Sequence, residues 1–585
     1  MRPYVQLLFV VAILALGCNR SAHPDSVHYS TEIEYHIEDI LIETRDGAHV
    51  SGIVVRNKND HTPKPVIFQF TIYVRDKGRD LETLKHSVDK GYVGVIAYTR
   101  GKHNSTGEIL PYEHDGNDAY DVIDWISKQT WSDGRIGMFG GSYNGFTQWA
   151  ACKKLHPALK TIVPYVANRP GMGLPMENNI FINPNYEWSF LVGNNKYLDT
   201  IAGFDRQRFR KMQNDWWESG AAYKQLDSID GHPNRLFQRW IKHPSFDEYW
   251  QNMSLYKNEF AQIDIPVLSI DGYYNDSQNS GLYYLREHYK YVSNPEHYLI
   301  IGPYSHFGAQ KNGKKVLNGY EVDENALIDT EEITYQWFDY IFKNGEKPEI
   351  LKNKINYQVM GANEWRSAKT IHDMSNEKVK LFLSNVENGA FYRLSPNKAQ
   401  TLAYLEQEVN FKDRNAWNNS SYPDPIITDQ VGGTGFLFIS EPLEEPLLVN
   451  GSFLGELNVE INKKDFDFGV TLYEVTPDQT YFHLSYIVGR ASYADDITQR
   501  KLLTANRLER IPFSNTHLVS KKLSKGSRLL IYVDVNKNPF SELNYGTGKI
   551  VTEETIKDAN EPLIVKWYNS SFVEIPVWKE PKNNH

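Results

Sequence analysis

Residues 136–147 read IGMFGGSYNGFT, an apolar run, two glycines and a serine ahead of a segment with helical character. A serine in the sharp turn between a buried strand and a helix has its hydroxyl lifted clear of the backbone, where it can attack a carbonyl carbon. Small residues must flank it. The usual spacing is G-x-S-x-G; Gly140-Gly141-Ser142 supplies the first half, but position 144 is Asn and the glycine follows at Gly145. Taken alone, the stretch fits either a nucleophile or a plain strand-to-helix turn. A nucleophile needs an imidazole base and a carboxylate that orients it, following in the order Ser, Asp, His, each just past a strand. Of the 18 histidines, His306 is the best placed, four residues past a buried run in YLIIGPYSHFG, although a loop histidine bonded to backbone fits that position equally. The run PVLSID leads into GYYNDSQNSG, which offers Asp271, Asn275 and Asp276. An oxyanion also needs donors: the Tyr143 N–H and, from the loop after the third strand, the Tyr73 phenol in FTIYVR. A tyrosine at a strand end more often serves packing.

These residues need a sheet beneath them. Segments 49–56, 65–71, 93–99 and 135–140 are short, β-branched or aromatic and bounded by Gly, Pro or charge, as buried strands are. Between them, Ala119, Val122, Ile123 and Ile126 recur at helical spacing behind acidic residues. Strand signals return at 160–165, 266–271 and 298–302. The alternation predicts a doubly wound, mostly parallel α/β sheet. Residues 168–262, rich in Trp and Tyr with helical character, interrupt it and read as a cap. After a helical stretch at 331–345, short alternating strands run from Tyr357 to the C-terminus and predict a β-sandwich. The expected organisation is residues 36–167 and 263–350 as the α/β domain, 168–262 as the helical cap and 351–585 as the sandwich.

Composition narrows the partners. The 585-residue chain carries a formal net charge of −10 with no long Lys/Arg run, which argues against nucleic acid. The N-terminus has one Arg and then an apolar stretch from Leu7 to Cys18, too short to span a bilayer as a mature helix. It reads as a signal peptide over residues 1–18, with 19–35 as a polar tether. Leu14-Ala15-Leu16-Gly17-Cys18 resembles a bacterial lipobox, with Ala15 where a larger aliphatic residue is usual, so Cys18 is the expected lipidation site. The expected location is the bacterial cell envelope, with membrane contact only through the lipid. Cys152 is the one other cysteine, so no intramolecular disulfide forms after processing. No metal-ligand spacing and no phosphate-binding glycine loop occurs, and no cofactor is expected.

Over residues 36–585 the chain resembles the X-Pro dipeptidyl-peptidase-like serine hydrolases, the CocE/NonD family that includes cocaine esterase and the α-amino-acid ester hydrolases. The family's elbow is G-x-S-Y-x-G, which Gly140 to Gly145 satisfies. TRGKHNSTGE (99–108), DGNDAYDVIDWI (115–126), HPSFDEYW (243–250), GPYSH (302–306) and YQVMGANEWR (357–366) are similar to family segments, as are SEPLEE (440–445) and DVNKNPFSELNYGTG (534–548). The resemblance implies an α/β-hydrolase domain with a helical cap and a jelly-roll C-terminal domain. It also implies Ser142 as the acylated nucleophile, His306 as base, and the Tyr73 hydroxyl with the Tyr143 N–H as oxyanion hole. One position departs. The family's Gly-x-Tyr-Asp falls on Gly272-Tyr273-Tyr274-Asn275, placing Asn where the triad carboxylate belongs. In a well-studied triad that exchange costs about 10⁴ in turnover. Asp276, one residue on, is the expected replacement, with Asn275 as the family-aligned alternative. A second departure concerns substrate: Ser277 and Gln278 stand where the amino-acid ester hydrolases carry acidic residues that help bind an ammonium, although Glu177 or Glu187 in the cap could substitute. The expected activity is hydrolysis of a small carboxylic ester, less readily an amide, through an acyl-enzyme. The alternatives are an exopeptidase of the dipeptidyl-peptidase type and a non-catalytic binding lipoprotein with a decayed triad.

Overall fold

The computed structural model describes residues 33–418, 427–428 and 430–580. Cys18, the signal segment and most of the tether lie outside them. Ten strands form the central sheet. β1 (Tyr35–Glu43) and β2 (His49–Asn57) make its antiparallel edge, followed in sequence by β3 (Lys64–Thr71), β4 (Val93–Tyr98), β5 (Ser132–Gly141) and β6 (Leu159–Tyr165). β7 (Met176–Glu177) and β8 (Ile180–Phe181) are a small hairpin within the cap; β9 (Val267–Tyr274) and β10 (His297–Ser305) return to the sheet. A second hairpin, β11 (Val316–Leu317) with β12 (Tyr320–Glu321), precedes β13 (Ile355–Val359) and β14 (Glu364–Ala368). The spatial order is β1-β2-β4-β3-β5-β6-β9-β10-β13-β14, parallel from β4 through β13. This is the α/β-hydrolase arrangement, with the C-terminal ends of β3, β5, β9 and β10 at one edge.

Strands covered on both faces should be apolar throughout, and β4 and β9 are buried along their whole lengths. On one face, α2 (Asp115–Ser127) and α3 (Tyr143–Ala151) lay Val122, Ile126 and Trp149 against Val66, Phe68 and Ile136. On the other, the helix Thr330–Lys343 places Trp337 and Phe338 against Ile67, Val163 and Ile300. Each such fully buried side chain contributes about 1.5–3 kcal/mol, so the positions of the strand ends are strongly determined. Asp76 caps α1 (Lys77–Asp89) by accepting from the Arg79 N–H, and Asp329 caps Thr330–Lys343 in the same way through Glu332 N–H.

The cap crosses the carboxyl edge of the sheet. Its helix α4 (Pro184–Gly193) is held at its C-terminal end by Lys102, a fully buried ammonium that donates to the carbonyls of Val192 (2.8 Å), Asn195 (2.8 Å) and Tyr197 (3.2 Å).

β13 and β14, expected to open the sandwich, instead extend the central sheet; alternation fixes that a segment is a strand, not which sheet it joins. The remaining strands, from Glu377–Asn388 to Phe572–Trp578, are hydrogen-bonded into the C-terminal β-sandwich. One apolar cluster runs from Trp216 and Phe237 of the cap through Met360 to Phe468 and Val533 of the sandwich. Polar clamps reinforce it. Arg490, buried between Asp467 and Glu542, donates to Asn179 O (2.9 Å), and Phe181 N–H donates to Glu542 (3.1 Å).

Candidate active site

The last two residues of β5 are Gly140, whose φ is +134°, and Gly141, and the chain then turns through Ser142 at φ 60°, ψ −119°. A non-glycine residue there stores about 1–3 kcal/mol of strain, which the surroundings must hold. Ser142 N–H donates to Tyr165 O (3.0 Å), while its carbonyl accepts from Gly145 and Phe146 N–H (3.0 Å each) and from Asn168 N–H (3.3 Å). The displaced glycine has a cause. A Cβ at Gly145 would lie 2.8 Å from Ala167 Cα and 2.9 Å from Tyr165 O, so α3 can cross the end of β6 only on glycine. The Asn at 144 instead packs beside Gly140, where a Cβ would meet Asn144 Cβ at 2.8 Å.

The half-buried Ser142 hydroxyl makes a long hydrogen bond, 3.4 Å, with the Tyr73 hydroxyl two residues past β3. Tyr73 also receives the Trp188 indole N–H from α4 (3.4 Å), and the backbone of Tyr143, next in the chain to Ser142, adjoins the same oxygen. Burial raises the Tyr73 phenol pKa, so it remains a neutral donor. Tyr143 is fixed at its far end: its hydroxyl donates to Asp115 (2.9 Å) and accepts from Tyr112 N–H (3.0 Å). Burial pushes the Asp115 carboxyl up to about 7. Two donors, a phenol and an amide, thus converge beside the serine.

His306 follows β10. Its Nδ1 lies 2.8 Å from Asn275 Oδ1, and Asp276 Oδ1 is an ion-pair neighbour of the same nitrogen at 3.1 Å. The loop therefore brings both candidates to the imidazole, the family-aligned Asn275 being the closer. Asn275 is fully buried, whereas the Asp276 side chain is 41% exposed. Burial opposes charge on His306, but the Asp276 carboxylate outweighs it and lifts the imidazole above its ordinary value. Burial likewise would raise the Asp276 carboxyl; the His306 charge and hydrogen bond outweigh that and lower it. Behind Asn275 lies Asp271, buried in β9, accepting Asn275 Nδ2–H and Gly272 N–H at 2.8 Å each. Burial pushes its carboxyl up to about 7. Gln310 ties the serine and histidine loops together. Its amide donates to His306 O (2.9 Å), and its oxygen lies over Gly141, 2.1 Å from where a Cβ would sit.

Gln310 and Trp188 carried no motif signal, because only the folded loop and cap bring them here. Asp115 opens a helix segment that the sequence did single out. Gln278 is consumed by structure, donating to the carbonyls of Gly272 (3.0 Å), Tyr273 (3.2 Å) and Leu518 (3.0 Å) and accepting Leu518 N–H (2.6 Å). Glu177 Oε1 faces His517 of the sandwich at 3.8 Å, and Glu187 is a half-buried carboxyl whose pKa burial raises. Among the described residues no cluster of three or more His, Cys, Asp or Glu is arranged to hold a metal ion, and no helix is long and apolar enough to cross a membrane.

Residues 46–308 match the X-Pro dipeptidyl-peptidase (S15) family, and residues 351–563 match the X-Pro dipeptidyl-peptidase C-terminal non-catalytic domain. The chain belongs to this X-Pro dipeptidyl-peptidase-like, CocE/NonD family of serine hydrolases. The chain is 25% identical over 565 residues to the cocaine esterase of Rhodococcus sp. (strain MB1 Bresler), covering 89% of this chain and 94% of that one. The fold is shared with an α-amino acid ester hydrolase at TM-score 0.76 and 19% identity, covering 95% of this chain and 100% of that one. An aminopeptidase of a marine sediment Thaumarchaeota archaeon superposes equally, at TM-score 0.76 and 18% identity over 96% and 99% of the two chains. Membership in the S15-like hydrolases makes the chain an α/β-hydrolase enzyme with a β-rich C-terminal domain.

Proposed function

We propose that this hydrolase cleaves a small carboxylic ester through an acyl-enzyme on Ser142, an amide being the less favoured substrate. His306 Nε2 takes the Ser142 proton as Oγ adds to the carbonyl carbon, and the oxyanion is held by Tyr73 O–H and Tyr143 N–H. The imidazolium then returns the proton to the departing alcohol oxygen, leaving an ester on Ser142. Water, deprotonated by the same imidazole, adds to the acyl carbon, and the bond to Oγ breaks as the imidazolium returns the proton to Ser142, releasing the acid. Asn275 orients the ring and Asp276 supplies the charge that stabilises the imidazolium.

The observation that carries this reading is the convergence of Tyr73 hydroxyl, Tyr143 amide and strained Ser142 at one point. Ester is preferred over an aminoacyl substrate because Ser277 and Gln278 are uncharged and bonded into the fold, so neither position offers a carboxylate to an ammonium. Anchoring of Cys18 by lipid in a bacterial envelope belongs to the same proposal and rests on the lipobox-like LALGC segment; Cys18→Ala should release the protein from membranes, and continued sedimentation with them would refute it. The activity is tested with an ester and aminoacyl-anilide panel on protein lacking residues 1–18. A fluorophosphonate should label Ser142, Ser142→Ala should abolish labelling and hydrolysis, and Tyr73→Phe should lower turnover by about 10² to 10³ at little cost in KM. Hydrolysis surviving in Ser142→Ala would end the assignment.

A further inference from the structure

β9 reads VLSIDGYY and is buried along its whole length, yet it carries a carboxylate, Asp271, in its middle. Burying a carboxyl there is costly compared with another aliphatic residue, and the surroundings are shaped around it. The helix Gln278–Tyr291 passes over Asp271 on Gly281, where a Cβ would lie 2.1 Å from Asp271 Oδ2. Asp271 Oδ1 accepts Asn275 Nδ2–H at 2.8 Å, and Asn275 Oδ1 lies 2.8 Å from His306 Nδ1. Ionised, Asp271 only accepts, so it draws the amide NH₂ toward itself and leaves the oxygen to the imidazole. Ser277 agrees from the other side, its N–H (3.3 Å) and hydroxyl (3.2 Å) both donating to Asn275 Oδ1.

This orientation decides a tautomer. Were the amide reversed, its NH₂ would face Nδ1 and call for a lone pair there, placing the ring proton on Nε2, the nitrogen that must be free to act as base. We propose that Asp271 is a positioning residue for the hydrolysis: by fixing the Asn275 amide it holds the His306 proton on Nδ1, so that a line of Asp271, Asn275 and His306 does the orienting that a single triad carboxylate does elsewhere. The proposal rests on the hydrolase reading above. It divides the missing carboxylate's work in two, Asp271 acting through Asn275 on ring orientation and the more exposed Asp276 on charge. His306 and Asp276 are the titratable groups that face Asp271 electrostatically.

The test is made on the full chain. Asp271→Asn places an amide that can face Asn275 either way; turnover should fall about 10- to 100-fold, the scale of losses behind a first ligand shell, at nearly unchanged KM. The low-field Nδ1–H proton signal of His306 should weaken in the same variant. In an Asn275→Leu background the substitution should add nothing further, since Asp271 then has no amide to orient. Wild-type turnover with an unchanged proton signal in Asp271→Asn, or losses that multiply in the double variant, would overturn the proposal. If Asp271→Asn does not fold, Asn275→Asp decides: it sets a second carboxylate against Asp271 and should be slower than wild type, whereas a faster enzyme would overturn the role. Fluorophosphonate labelling of wild-type protein separates the two claims. Labelling without coupling between positions 271 and 275 removes the Asp271 role alone, and absence of labelling removes the hydrolase reading with it.

Discussion

At His306 two neighbours stand against the ring nitrogen where the proposed mechanism needs one carboxylate, and their effects are separable by pH. The base acts only when neutral, so kcat/KM should rise through an imidazole pKa that the Asp276 carboxylate has lifted above the ordinary value. Asp276→Asn removes that lift. Its acid limb should therefore move to lower pH while turnover falls by about 10² to 10³, less than in a buried triad because water screens a side chain 41% exposed. A pH–rate profile of both proteins checks the sign; an unmoved limb would mean that Asp276 is a bystander. The strand-end positions of Ser142, Tyr143 and Tyr73 were legible in the sequence because a short local pattern marks each strand, whereas the roles expected of them came only with the family resemblance. The 275–276 pair was not resolvable there. Which oxygen meets a ring nitrogen depends on a few tenths of an ångström of loop geometry, and on Asp271 four residues back turning an amide that sequence alone leaves free to rotate.

Among the elements, the elbow and its supporting helix show why the glycine spacing is what it is. Gly145→Ala would drive a methyl into Ala167 Cα and Tyr165 O, both backbone, and should cost about 1–3 kcal/mol together with most fluorophosphonate labelling, readable by thermal melts and labelling in parallel. Beneath β9 and β10, a second arrangement is sensitive to acid. His288 Nε2 meets Ile263 O (3.3 Å), the two Nδ1 atoms of His288 and His297 lie 3.2 Å apart, and His297 Nε2 meets Ser269 Oγ (2.8 Å). The facing Nδ1 atoms need one donor and one acceptor, so both rings cannot be charged together. Burial lowers His288 to about 4 and holds His297 well below the ordinary imidazole value. Between pH 4 and 6.5 the unfolded chain thus binds more protons, so the stabilisation is complete above about 6.5 and is lost as pH falls toward 4. Melting temperatures from pH 7 to 5 should fall less in His288→Gln than in wild type; equal slopes would assign the acid lability elsewhere. The strands of the central sheet were legible as continuous apolar runs. The pairing of β13 and β14 with β10 was not, because alternation carries no information about the partner.

Across the whole molecule, the catalytic half does not end where the α/β pattern fades. A chain stopped at residue 350 would leave β10, which delivers His306, as a bare sheet edge, and would remove the Leu518 groups that grip Gln278 below the acid loop. Such a truncation should aggregate on size-exclusion and fail to take up a fluorophosphonate, whereas a soluble, labelled fragment would show that the sandwich is dispensable. The division between sheet and sandwich was legible only coarsely, since Met360 and Ser520, paired N–H to carbonyl at 3.1 Å, join segments 160 residues apart that no local pattern connects. Finally, the Lys102 ammonium gives up its hydration to hold three carbonyls at the end of α4, the helix whose Trp188 touches Tyr73. Helix, indole and phenol are thereby stitched to the floor of the molecule rather than hung over it. A helix pinned in this way keeps the Trp188 indole and the Tyr73 phenol in register with the end of the sheet, instead of leaving their contact to the drift of the cap.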